Sequence, residues 1–227
     1  MTFTRSLKSL LATTLLVPTL LCFAAEENWI NLSGSFDGWR QIGDANWRIE
    51  NGEFVADKGN GHLVTQESLT DFRIKLEFFA SDGKANSGIF FRASDPNRIV
   101  DTSAYEANIY DERPDQSGRT GGIVHFAAPS EAINAGGKWN TYDITVQGDH
   151  IVVVLNGTKT VDTHDGTYKS GPLSLQYGAG VIKFRNVQLQ KLLSGRAGPA
   201  DGGRLCQSSR SEKSMARTCL VSAPIDT

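Results

Sequence analysis

The chain predicts an all-β domain of two antiparallel sheets packed face to face. Three observations carry that expectation. Asn51-Gly52, Gly148-Asp149 and Asn156-Gly157 each separate two strand-like runs, and Asn-Gly is the strongest two-residue hairpin signal because both turn positions need positive φ. Residues 72–79, FRIKLEFF, set Phe72, Ile74, Leu76 and Phe78 against Arg73, Lys75 and Glu77, the period-2 pattern of a half-buried strand. Nothing between Trp29 and Leu192 keeps the period of a long amphipathic helix. Many short strands divided by Gly, Asn and Asp turns leave a sandwich or a barrel.

The elements follow in chain order. Arg5 and Lys8 precede an apolar run from Leu10 to Phe23, with Ala24-Ala25 and then Glu26-Glu27 beyond. That is the layout of a secretory signal peptide, residues 1–24, cleaved after Ala24 and implying a periplasmic or secreted protein. The run is short of the ~20 residues of a membrane span, so no transmembrane segment is expected after cleavage. A lipoprotein signal with a lipidated Cys22 is the alternative, disfavoured by the bulky Leu21 before it. The main domain, 25–192, opens with the hairpin WRIENGEFVAD (47–57) and the paired run 62–78. Three short strand-like segments follow at 86–92, 105–111 and 120–126, then the hairpin of 138–157 and the strands in GPLSLQYG and FRNVQLQKL. Trp39, Trp47 and Trp139 are expected in the core, where aromatics contribute most to burial; for Trp139 a sugar-stacking platform is the alternative. Asn140 and Asn186 fix backbone through local hydrogen bonds. Residues 193–227 are rich in Gly, Ser and Arg without periodicity, and disorder is expected there. Cys206 and Cys219 would pair in an oxidising compartment or stay incidental thiols.

Composition excludes several function classes. The 227 residues carry a formal net charge of −2, which argues against a nucleic-acid partner held by a basic field. Four histidines and three cysteines leave little for a dedicated zinc site, and HExxH, paired CxxC and a Gly-rich phosphate loop are all missing from the sequence.

The segments between Asn86 and Phe126 concentrate the polar residues that could carry chemistry. Alternation puts Arg92 on the side of Gly88 and Phe90, and Glu106 with Asn108 and Tyr110, opposite Tyr105 and Ile109. His125 shares the phase of Ile123. A face bearing Arg92, Glu106, Asn108 and His125 reads either as a binding cleft or as a solvated outer face. An Arg92–Glu106 cross-strand ion pair would also account for two of them. Gln176 shares the side of Ser174 and could reach a sugar hydroxyl; Asn86 either contacts substrate or caps a turn. His62, His150 and His164 read as turn or surface residues without a role.

The ordered set GW (38–39), WRIENGEFVAD, HLVTQESLTDFRIKLEF, NSGIFFR, YEANIYD, TGGIVHF, KWNTYDITVQGDHIVVVLNG, GPLSLQYG and FRNVQLQKL resembles the 3-keto-disaccharide hydrolase domain family (DUF1080). That resemblance implies a concanavalin A-like jelly roll of two curved antiparallel sheets. It also implies a hydrolase acting on the glycosidic bond of 3-keto-glycosides or disaccharides, with a small carbohydrate as substrate. A non-catalytic carbohydrate-binding module on the same sandwich is the alternative. In such chemistry the ketone acidifies the C2 hydrogen, a base removes it, and the enolate expels the glycosidic oxygen. Glu106 or His125 could be the base and Arg92 the group at the ketone oxygen. Asp111 could donate to the leaving oxygen or position the base. Asn108, Gln176 and Asn86 would join Arg92 in binding substrate. As a conventional two-carboxylate pair, Glu106 and Asp111 fall on opposite strand faces unless the chain bends at Tyr110-Asp111. No cofactor or metal is expected, although residues 111–116 with Asp95 and Asp101 offer oxygen ligands suited to calcium or another divalent ion.

Overall fold

The computed structural model describes residues 28–193. The expected signal peptide, nearly all of the tail, and Cys22, Cys206 and Cys219 lie outside these residues. The described chain forms strands β1 (Ile30–Asn31), β2 (Trp39–Gly43), β3 (Arg48–Glu50), β4 (Glu53–Ala56), β5 (Gly61–Leu69), β6 (Phe72–Ala80) and β7 (Ser87–Phe91). It continues with β8 (Tyr105–Ile109), β9 (Trp139–Gln147), β10 (His150–Leu155), β11 (Thr158–His164), β12 (Gly171–Tyr177) and β13 (Ile182–Lys191). A single 3-10 turn, Gln116–Gly118, is the only helical element among the described residues. One sheet runs β11-β10-β9-β6-β13-β4-β3 with β1 added on β13; the other runs β2-β5-β12-β7-β8. Together they make an all-β sandwich, as the turn chemistry predicts, with the jelly-roll form that the family resemblance implies.

The hairpins form where local chemistry places them. Asn51 and Gly52 take φ of 52° and 81° between β3 and β4, and Asn156 and Gly157 take 51° and 84° between β10 and β11. Along β6 the apolar phase is buried to 2% exposure or less at Phe72, Ile74, Leu76 and Phe78. From the other sheet Leu63, Ile89, Phe91, Leu173 and Leu175 enter the same core. Phe72 meets Phe91 edge-on at 5.9 Å, and Trp39 meets Phe54 at 5.7 Å, each pair joining the two sheets. Each such side chain contributes about 1.5–3 kcal/mol when fully buried.

Two expectations need correction. Trp39 and Trp47 are buried, but Trp139 is only half-buried. It pairs in register with Phe79, outside the buried phase of β6, and the Arg185 guanidinium lies 3.9 Å over its ring. The segment 120–126 is not a third strand. Ile123 bridges Ala107 on one side and Ala127 on the other, and Phe126 and Ala127 both donate to Ile123 O. The chain turns there, and His125 sits in the turn at φ 67°.

The second face of the five-stranded sheet positions the site. Register places Phe90 beside both Glu106 and Ser174, Gly88 beside Asn108, and Gln176 beside His62. The connection from β7 to β8 folds back over this face. Its Ala93, Ile99 and Ala104 pack with Phe90 and Val64 in a small second core, with Ile42 against it. Covering half of the face leaves the other half as a walled cleft.

Candidate functional site

The cleft encloses about 270 Å³ and is lined by Asn86, Phe90, Asp101 and Glu106, with His62, Arg113 and Gln176 completing its walls. Three residues expected at a site, Glu106, Gln176 and Asn86, are brought together here. Glu106 stands on β8 at 4% exposure, and no described residue hydrogen-bonds its carboxylate. Gly88 makes room for it, since a Cβ at Gly88 would lie 2.6 Å from Glu106 Oε1. Burial pushes the Glu106 carboxyl up to about 8; Arg113 nearby pulls it down and Asp101 pushes it further up. A carboxyl tuned to that range is suited to exchange protons at neutral pH.

Gln176 projects from β12, and its buried Oε1 has no hydrogen-bond partner among the described residues. Asn86 spends its backbone on splicing β7 to the loop after β12. Its N–H donates to Ala179 O at 3.1 Å, and its carbonyl accepts from Gly178 N at 2.9 Å. No described residue takes up its side-chain amide.

His125 reaches the site at one remove. Its Nε2 lies 3.0 Å from Asp101 Oδ2, and Arg113 Nη2 lies 4.0 Å from the same oxygen. Asp101, from the β7–β8 connection, thus ties together two points of the β8–β9 connection. Asp101, not Asp111, lines the cleft together with Glu106. The His125 side chain is 47% exposed, whereas Glu106 is 4% exposed.

Three expected site residues are elsewhere. Arg92 is 1% exposed and leaves β7 at φ 55°, so strand alternation no longer governs where it points. Its Nε donates to Thr70 O at 2.8 Å, its Nη1 to Gly148 O at 2.7 Å, and its Nη2 lies 3.2 Å from Asp71 Oδ1. That guanidinium knots three connections together and has no reach into the cleft. Asp111 is buried as an anchor: Oδ1 accepts from Thr120 Oγ1 at 2.6 Å, and Oδ2 accepts from Ala135 N and Gly136 N at 2.8 and 2.9 Å. The bend after β8 carries it to a different depression, bordered by Asp82, Glu112 and Arg119. Asn108 does share the face of Glu106, but at 0% exposure it donates to Gly118 O and accepts from Ile109 N at 2.9 Å. It holds down the loop that bears Arg113.

The oxygen ligands considered for a divalent ion do not converge. Asp95 accepts from Asn97 N, Asp101 faces His125 and Arg113, and Asp111 is fully engaged. Among the described residues no group of three or more His, Cys, Asp or Glu is placed to hold a metal ion.

His62, expected as a turn or surface residue, and Arg113, for which no role was expected, also line the cleft. His62 lies in β5, 8% exposed, with Nδ1 2.9 Å from Ser174 Oγ and its ring edge-on to Phe90 at 5.2 Å. Burial holds it down at about 4, so the imidazole is neutral. The signal was present: His62 and Val64 alternate with Leu63. Arg113 gave no such signal, because its position depends on the loop after β8.

Comparison with known proteins places this geometry in a family. Two crystal structures of candidate glycosyl hydrolases from Parabacteroides distasonis share the fold, each with a TM-score of 0.62. One is 20% identical and covers 69% of this chain and 89% of its own. The other is 22% identical and covers 73% and 100%. The carbohydrate-binding module CBM66 of Bacillus subtilis is similar at a TM-score of 0.55 and 17% identity, covering 68% of this chain and 96% of its own. At these identities the likeness shows the fold alone. No curated protein matches the chain. The profile of the 3-keto-alpha-glucoside-1,2-lyase-like domain spans residues 28–190, taking in both sheets and every wall of the cleft, and the chain therefore belongs to that family.

Proposed function

We propose that this domain is an enzyme that breaks the glycosidic bond of a 3-keto-glycoside, with Glu106 as the base, acting after export to the periplasm or beyond. The supporting observation is a carboxyl group that is almost wholly buried, free of hydrogen-bond partners among the described residues, and raised to about 8. Membership in the 3-keto-alpha-glucoside-1,2-lyase-like family supports a keto sugar as the substrate class.

The steps balance without an added oxidant. Glu106 in its ionised form takes the proton from C2. The C–H electron pair moves into a C2–C3 double bond, and the carbonyl pair moves onto the C3 oxygen. Collapse of this enolate forms C1=C2 and breaks C1–O; the leaving oxygen keeps that pair and takes a proton from water. Addition of water across C1=C2 completes a hydrolysis, and omission of that step leaves a lyase product. Raising the carboxyl toward 8 narrows its gap to a carbon acid, at about 1.4 kcal/mol per unit. Arg113 places a positive charge beside the cleft while negative charge is on the substrate. The amides of Asn86 and Gln176 supply donors and acceptors for ring hydroxyls.

Incubating the protein with a glucoside and with its 3-keto derivative in deuterated water tests the reading. Deuterium should enter C2 of the keto sugar alone, and the aglycone should be released from it alone. If no keto sugar exchanges or cleaves, yet sugars are retained at millimolar concentration, the domain is a binding module.

A further inference from the structure

We propose that His62 is a catalytic residue of the same site: its neutral imidazole donates a hydrogen bond from Nε2 to the substrate's ketone oxygen and stabilises the enolate. This inference rests on the reading of Glu106 as the base. Ser174 is fully buried, and its hydroxyl has one side-chain neighbour in reach, His62 Nδ1 at 2.9 Å. A buried O–H that lacks another acceptor donates to the one it has. Nδ1 is then the acceptor, and the ring proton resides on Nε2. No described residue accepts from Nε2.

β5 and β8 are separated by β12 and β7, three strand spacings, or roughly 14 Å at ~4.8 Å each. Both side chains lean inward across that gap. Glu106 lies over Gly88 of β7, while His62 reaches Ser174 of β12 and stacks edge-on against Phe90 of β7. The proton acceptor on β8 and the proposed donor on β5 therefore line one cleft. Gln176, beside His62 in register, adds its unpartnered Oε1 on the same wall.

Abstraction of a proton next to a ketone needs a donor at the oxygen that gains charge. Burial keeps His62 neutral well below neutral pH, and a neutral imidazole can polarise a carbonyl without having to lose a full charge. Arg92, the cation first considered for this oxygen, is locked in its loop knot. The hydrogen bond strengthens as the enolate forms, and the Nε2 proton stays on nitrogen.

Methyl 3-keto-α-glucoside serves as the probe, with C2 deuterium exchange and turnover read together. His62→Phe should lower kcat by about 10²–10³-fold with little change in KM, the loss typical of one oxyanion donor. His62→Gln, whose amide can still donate, should recover part of it. Imidazole ¹⁵N spectra of the unliganded protein should show the Nε2–H tautomer, neutral at pH 6, with its shift moving on addition of the keto sugar. If wild type exchanges C2 and Glu106→Gln does not, but folded His62→Phe keeps kcat within threefold, His62 has no catalytic role and Glu106 remains the base. An Nδ1–H tautomer would also overturn the proposal. Failure of wild type to exchange C2 at all would instead remove the reading of Glu106 on which this one stands.

Discussion

Glu106 Oε1 occupies the space where a side chain on Gly88 would begin, 2.6 Å from the position of that missing Cβ. The two residues oppose nothing in sequence that advertises the relationship. They meet because β7 and β8 pair so that Gly88 stands beside Asn108, two residues from Glu106 on the same face.

Gly88→Ala should therefore act on the site before it acts on the fold. Gly88 takes no left-handed backbone angle, so an alanine has no local strain to impose. Its methyl must displace the Glu106 carboxylate, with Cγ also only 2.9 Å away. Turnover of a 3-keto-glycoside should fall at least tenfold, while the melting temperature changes by a few degrees at most. Activity and thermal melts on the same sample check this.

Glu106→Gln should abolish turnover, since loss of one general base typically costs about 10²–10⁴ in rate. The same substitution should change how stability depends on pH. Unfolded, the carboxyl ionises near its ordinary 4.5; folded, it ionises near 8. The folded state thus keeps a proton that the unfolded state gives up between those values. Stability from this group is full below about 4.5 and is lost as pH rises through 8, an effect of a few kcal/mol. The Gln variant should match wild type near pH 5 and exceed it near pH 9 in thermal melts. In wild type, kcat/KM should rise with pH toward a plateau above about 8.

Arg92→Ala should unfold the protein rather than weaken its hold on a sugar. The guanidinium and Asp71 are 1% and 5% exposed, and removing one partner of a buried pair costs about 3–5 kcal/mol. Asp71 also accepts from Gly148 N at 2.9 Å, so the turn between β9 and β10 should loosen with it. Arg92→Lys should not rescue, because one ammonium cannot span Thr70, Gly148 and Tyr168 as the planar fork does. Denaturant melts, with sugar affinity measured on the folded fraction, separate the two outcomes.

Asp111→Ala should behave likewise. It strands the Ala135 and Gly136 N–H groups and the Thr120 hydroxyl, at about 1–3 kcal/mol for each buried donor left unpaired. The midpoint of denaturation should fall markedly, while turnover per folded molecule stays within a few-fold of wild type. A loss of turnover at full stability would instead return Asp111 to the chemistry.

What the sequence determined is what depends on neighbours along the chain. Positive-φ turns at Asn51-Gly52 and Asn156-Gly157 and the period-2 burial of β6 are set within a few residues, and both appear as read. So does the phase that puts Glu106 opposite Tyr105, because alternation along one strand is a local property. Tertiary structure decided whatever needed a partner far away. Arg92 was misread because a single left-handed residue ends the alternation, and its partners at Thr70, Asp71, Gly148 and Tyr168 come from three other connections. His62 joined the cleft because β5 pairs with β12, which brings it to Ser174, 112 residues away, and Asp101 and Arg113 arrived on loops with no period to extrapolate. Side chains enter a site through register between strands and the paths of loops, and those are fixed by the packing of the whole sandwich rather than by any segment of it.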